Sequence, residues 1–149
     1  MQSTIPEPMK REHEELHAEL VKATKEKGKI GEAARVVAKI LHGHFVKEEE
    51  YALPPLGLLT QLAEGKISKE MGEVVQMTDR LRAELPVMLM EHKEIVAALE
   101  NLVAVAEKKG KRKYVRFAQK LTLHAKAEEE ISYPTSILVG EYIKVKLGM

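Results

Sequence analysis

Apolar positions along the chain recur at three- and four-residue spacing, the period of an α-helix resting one face on a core. Met9, Leu16, Leu20 and Ala23 form a first stripe, introduced by Pro6 and Pro8 and closed by Gly28. Proline is tolerated in an opening turn because the N–H it lacks has no helical partner there. A second stripe opens near Gly31 and carries Ala33, Val37, Leu41 and Tyr51 until Pro54-Pro55 ends or kinks it. Leu58, Leu59 and Leu62 predict a short helical continuation that stops by Gly65. Ser68 suits the N-cap of a long third helix, whose stripe runs through Val74, Thr78, Leu81, Leu85, Met88, Ile95, Leu99, Leu102 and Ala106 to Gly110. Pro86 lies inside that pattern and predicts a kink or a break. A fourth stripe holds Tyr114, Phe117, Leu121 and Ile131; Pro134 predicts a kink, with Ile137 to Leu147 continuing as helix. No segment alternates with the period of a strand. The expectation is an all-α fold, an antiparallel up-down four-helix bundle formed as one domain over residues 1–149.

The stripes are interrupted by polar residues in a repeated pattern. His44-x-x-x-Glu48-Glu-Glu, with Pro54 following, recurs as His124-x-x-x-Glu128-Glu-Glu, with Pro134 following. Four residues along a helix return to nearly the same face, roughly 40° round, so Glu48 stands over His44 and Glu128 over His124. The next two glutamates of each run point elsewhere and are expected in solvent. Arg-Glu12-His13 recurs as Met-Glu91-His92 at a matching distance before the longer motif. The chain therefore reads as an internal two-fold pseudo-repeat, each half holding one helix with His and one with His-x-x-x-Glu. Four imidazoles and two carboxylates on core stripes are expensive to bury without a cation, so His13, His44, Glu48, His92, His124 and Glu128 are expected metal ligands. Six ligands exceed the four of a tetrahedral zinc, and two carboxylates suit a bridged metal pair. The residue types themselves leave iron, zinc and manganese open.

These motifs resemble the hemerythrin-like, or HHE cation-binding, family: Glu-His on the first and third helices, and His-x-x-x-Glu followed by Pro on the second and fourth. Glu12-His13, His44/Glu48/Pro54, Glu91-His92 and His124/Glu128/Pro134 carry the resemblance over essentially the whole chain. It implies a non-haem centre of two iron ions, with Glu48 and Glu128 as bridging carboxylates, that binds or senses dioxygen or nitric oxide or handles iron. The chain departs from the oxygen carriers of that family at Val96, where they have a second histidine. His17, one turn after His13, is a candidate to replace it as a ligand. The oxygen carriers also use the position matching Glu129; helical geometry favours Glu128. The ligand set is similar as well to the core of the repair-of-iron-centres proteins, without their cysteine-bearing N-terminal domain.

Two other classes stay open. One is a di-iron enzyme, a ferroxidase or peroxide-reducing bundle, although ferritin-like enzymes place Glu before His and use more carboxylates. The other is a structural zinc or mixed-metal bundle. His42 is expected in solvent. Glu12 and Glu91 are placed to accept an imidazole N–H or to line an access path, against a plain solvated role. Met71, Met77, Met88 and Met90 read as core filler.

Composition narrows the partners. Lys and Arg total 24 against 23 Asp and Glu, so no basic excess points to nucleic acid. The cluster Lys108 to Lys113 reads as a solvated turn between helices. Cysteine is absent, which excludes disulfides and thiolate ligands. No membrane span and no leader at Met1 to Pro8 is visible, and the expectation is a cytoplasmic protein.

Overall fold

The computed structural model describes residues 4–149, so the part of the leader reading that falls on residues 1–3 lies outside it. Among the described residues all regular structure is helical. The α-helices are α1 (Glu7–Thr24), α2 (Gly28–Lys47), α3 (Leu59–Ala63), α4 (Gly72–Lys108), α5 (Arg112–Ala127) and α6 (Tyr133–Leu147). Two π-helical turns, Glu48–Ala52 and Glu128–Ser132, prolong α2 and join α5 to α6. Short 3₁₀ turns at Pro54–Leu58 and Lys69–Met71 flank α3. Four long rods result: α1, α2 with its π turn, α4, and α5 with α6. α1 packs on α2 and α5, and α4 packs on α2, α5 and α6. No helix is long and apolar enough to cross a membrane.

The predicted stripes are the buried faces. Leu16, Leu20, Ala23, Val37, Leu41, Ile95, Leu99, Leu102, Phe117 and Leu121 form one apolar cluster; Tyr51, Leu81, Met88 and Tyr133 form another beside it. His13, His44, Glu48, His92 and Glu128 are buried in the layer between these clusters.

Several local expectations are corrected. α2 begins at Gly28, whose φ of +72° suits glycine, three residues before the predicted start. Gly31 serves a close approach instead: a Cβ there would lie 1.9 Å from the Glu26 carbonyl oxygen. Ser68 starts a 3₁₀ turn, and its side chain makes no capping bond. α4 runs unbroken across Pro86. Pro86 and Arg82, whose carbonyl loses its helical N–H, are both exposed, so water can satisfy that carbonyl. Met90 is 54% exposed and is not core filler, whereas Met71 and Met88 are buried.

The region before Pro134 holds a π turn where a kink was expected, and so does the region before Pro54. The Leu53 and Tyr133 N–H groups donate five residues back, to the carbonyls of Glu48 and Glu128. In a regular helix each proline ring would press on the carbonyl four residues earlier, Glu50 or Glu130. A wider turn removes that clash, and π bulges of this kind gather at functional sites. The turn also shifts the helical phase, which is why Ile131 is 64% exposed while Ser132 and Tyr133 face inward.

Candidate metal centre

Four rods each contribute one imidazole to the buried layer: His13 from α1, His44 from α2, His92 from α4 and His124 from α5. The imidazoles fall into two pairs. The His44 and His92 ring centroids are 4.6 Å apart, and those of His13 and His124 are 5.0 Å apart. Glu48 and Glu128, each the first residue of a π turn, lie between the pairs. Glu48 Oε2 is 3.6 Å from His44 Nε2, and Glu48 Oε1 is 3.7 Å from His13 Nε2. Glu128 Oε1 is 3.2 Å from His92 Nε2, while Oε2 is 3.0 Å from His124 Nε2 and 3.4 Å from His13 Nε2. Each carboxylate thus presents one oxygen to each pair.

The outward nitrogens of two histidines are held by carboxylates from other rods. His44 Nδ1–H donates to Glu91 Oε1 at 2.9 Å, and Glu91 Oε2 accepts from Lys47 Nζ at 2.8 Å. His124 Nδ1–H donates to the Glu12 carboxylate. An ionised carboxylate only accepts, so a proton is held on Nδ1 and Nε2 is the nitrogen that faces inward, the orientation metal-binding histidines adopt. Glu12 and Glu91 therefore take the N–H-accepting role. Their partners lie across the core on other helices and are not the histidines beside them in sequence. Glu129 Oε2 stands 3.7 Å outside His92 Nδ1, so it supports from outside the layer while Glu128 faces in. His13 stacks on Phe45 with centroids 4.3 Å apart.

The donor chemistry fits a cation. Glu48 Oε1 is buried with no hydrogen-bond partner, and an orphaned carboxylate oxygen in an apolar core is costly. His13 Nε2 and His124 Nε2 face each other at 3.2 Å with Glu128 Oε2 close to both. Two sets of side chains have ligand atoms close enough to hold a metal ion: His44, Glu48, His92 and Glu128, and His13, His124 and Glu128. The five buried candidates and the half-buried His124 each belong to one or both.

Without a cation the two carboxylates share the burden of burial. Burial, followed by the charge of Glu128, pushes Glu48 up to about 8. Burial also opposes ionisation of Glu128, but its hydrogen bonds with Glu48, His124, His13 and His92 outweigh that and hold it well below the carboxylate range. Burial lowers His124, yet its hydrogen bond to Glu128 and that residue's charge win, raising it to about 9. His44 is likewise raised against burial, by Glu48 and Glu91. One proton held by a carboxylate pair is what like charges at close range require.

His17 is exposed and belongs to neither set. It lines a groove of about 440 Å³ between α1 and α2 together with His13, His42, Phe45, Glu14 and Glu49. One turn beyond His13, it faces this groove and not the buried layer. His42 is exposed as expected.

Tyr133 is a site residue that the helical reading missed. Its hydroxyl donates to Glu48 Oε2 at 2.6 Å and lies 3.1 Å from His44 Nε2 and 3.2 Å from His92 Nε2. It follows Glu128 by five residues, a step that turns roughly 140° away on an α-helix but returns to the same face across a π turn. The proline after it was the available signal.

No family model, curated protein or solved structure matches the chain.

Proposed function

We propose that this chain is a hemerythrin-like protein, an antiparallel four-helix bundle of two pseudo-repeated halves, whose buried layer holds two iron ions and binds or senses dioxygen or nitric oxide or handles iron. The observation that carries the reading is the span of the two carboxylates: Glu48 and Glu128 each offer one oxygen to the His44–His92 pair and the other to the His13–His124 pair. A single ion would not use that arrangement; two ions side by side would be bridged by both. The pseudo-repeat is supported by the matched π turns after Glu48 and Glu128, and by Glu12 and Glu91 each holding a histidine of the opposite half.

His44, His92, Glu48 and Glu128 would hold one ion, and His13, His124 and both carboxylates the other. Bound there, an iron pair supplies a redox-active centre open to small ligands. The protein's part is to fix the imidazoles through Glu12 and Glu91, to exclude bulk water with the flanking apolar clusters, and to keep one approach beside His13. That approach is the groove floored by Phe45 and lined by Leu20, Val21, Ala38 and Leu41. Its apolar lining suits a small uncharged molecule better than an ionic substrate.

Anaerobic titration with ferrous ion, followed by air, tests the reading. Two irons per chain and an oxygen-dependent visible band, both lost in His44→Ala and Glu128→Ala, are expected. Reversal of the band on deoxygenation separates a carrier or sensor from an oxidase. One metal per chain, or tightly held zinc with no ferrous chemistry, overturns the di-iron reading in favour of a structural metal bundle.

A further inference from the structure

The two metal positions are not chemically alike. We propose that Tyr133 is itself a ligand, its phenolate oxygen completing the set made by His44, His92, Glu48 and Glu128. The proposal rests on the metal-centre reading above and assigns one of its positions a hard oxygen donor that the other lacks.

The geometry is that of a coordination shell. Donors around one first-row ion at about 2.1 Å stand roughly 3.0–3.4 Å from one another. The Tyr133 oxygen is 3.1 Å from His44 Nε2 and 3.2 Å from His92 Nε2, and His92 Nε2 is 3.2 Å from Glu128 Oε1. In the metal-free chain these atoms are joined by hydrogen bonds, at separations that a cation's donors would also keep. The phenol has one hydrogen, which the 2.6 Å contact commits to Glu48 Oε2. His44 Nδ1–H donates to Glu91, so loss of its other proton would leave the Nε2 lone pair facing the phenol oxygen at 3.1 Å. A cation among these atoms would take the place of those protons, each donor turning a lone pair toward it.

The backbone keeps Tyr133 in place. It is the residue that closes the second π turn through its N–H, and its ring, fully buried, stacks 5.6 Å from that of His92. Leu53 closes the first π turn in the same way and is also fully buried, but it offers no donor atom. The two turns thus differ at the one residue that decides whether a phenol enters the layer. On coordination the O–H bond breaks heterolytically: the oxygen keeps the electron pair and donates it to the metal, and the proton is released to buffer. Phenolate is a hard, anionic donor, so ferric ion should be favoured at this position over the His13–His124 position.

The test is metal analysis together with resonance Raman spectroscopy on protein loaded anaerobically with ferrous ion and oxidised with ferricyanide. Two irons per chain, a phenolate-to-iron visible band and enhanced tyrosinate ring modes are expected. Tyr133→Phe should retain two irons and lose the band and the modes. A Tyr51→Phe, Tyr114→Phe, Tyr142→Phe triple variant, in which Tyr133 is the one tyrosine left, should keep both; this arm decides the matter if Tyr133→Phe does not fold. Two irons without tyrosinate modes would overturn the proposal and leave Tyr133 a hydrogen-bonding neighbour of an intact metal pair. One iron with tyrosinate modes would uphold it and sink the dinuclear reading. No bound metal would overturn both.

Discussion

At the scale of single residues, the buried layer is a competition between protons and cations for the same lone pairs. Glu48, held at about 8, contributes stability that is full below the ordinary carboxylate range and lost as pH rises through that value. His124, held at about 9, contributes in the same sense, full below the ordinary imidazole value and lost as pH rises past 9. Glu128, held low, contributes above the carboxylate range and loses that only in acid. The metal-free chain should therefore lose stability steadily from about pH 5 to about pH 9, as read by denaturant midpoints across that interval. Metal affinity should rise over the same interval, because Glu48 and His124 must shed their protons first; competition with a chelator at several pH values reads this directly. A flat affinity profile would mean that these groups are not ligands. Glu91→Gln removes the charge of one acceptor outside the candidate ligand set, Glu12→Ala removes the other acceptor, and each should weaken metal binding about 10- to 100-fold. Both side chains are partly exposed, so the melting temperature of the metal-free chain should hardly move.

Elements set the distances between those residues. α6 meets α4 at Gly140, where an added Cβ would fall 1.9 Å from Thr78 Oγ1 and 2.6 Å from Thr78 Cβ. Thr78 is buried, with its hydroxyl donating to the Val75 carbonyl, so it has little room to retreat. Gly140→Ala should cost about 1–3 kcal/mol of stability from overpacking. Combined with Thr78→Ala, the loss should be recovered only in part, because alanine keeps the Cβ 2.6 Å away, and a double-mutant cycle of denaturation free energies measures the coupling. Additive losses would show that the two helices are not in contact there. The π turns act at this scale too, because they re-phase a helix without ending it and so let Glu128 and Tyr133 share a face.

For the whole molecule, the six candidate ligands sit on four separate rods at one level, so a bound cation should act as a cross-link among them. Loading should stabilise the fold by about 4 kcal/mol when free metal stands at a thousand times its dissociation constant, seen as a metal-dependent rise in melting temperature that chelation reverses. The larger apolar cluster packs without any of the six candidate ligands, so the metal-free chain should stay helical by circular dichroism. Complete loss of helix on chelation would instead indicate a metal whose role is structural.

The all-helical fold and the six inward-facing polar residues were legible in the chain alone, because a 3.6-residue period states which side chains face inward and His13, His44, Glu48, His92, His124 and Glu128 sit on that period. The preference for Glu128 over Glu129 followed from the same geometry. What lay beyond reach depended on contacts between helices or on departures from the period. A periodic stripe says that His17 lies near the His13 face but not that this stretch borders a groove. It places Glu12 and Glu91 beside histidines but cannot say that their partners are His124 and His44, across the core. Tyr133 was hidden because a π turn changes the angle per residue, and proline before the fact announces only that the α-helix cannot continue unchanged. Local periodicity determines which residues go inside; only the packing of the rods, and the phase shifts that proline imposes on them, decided which atoms meet there.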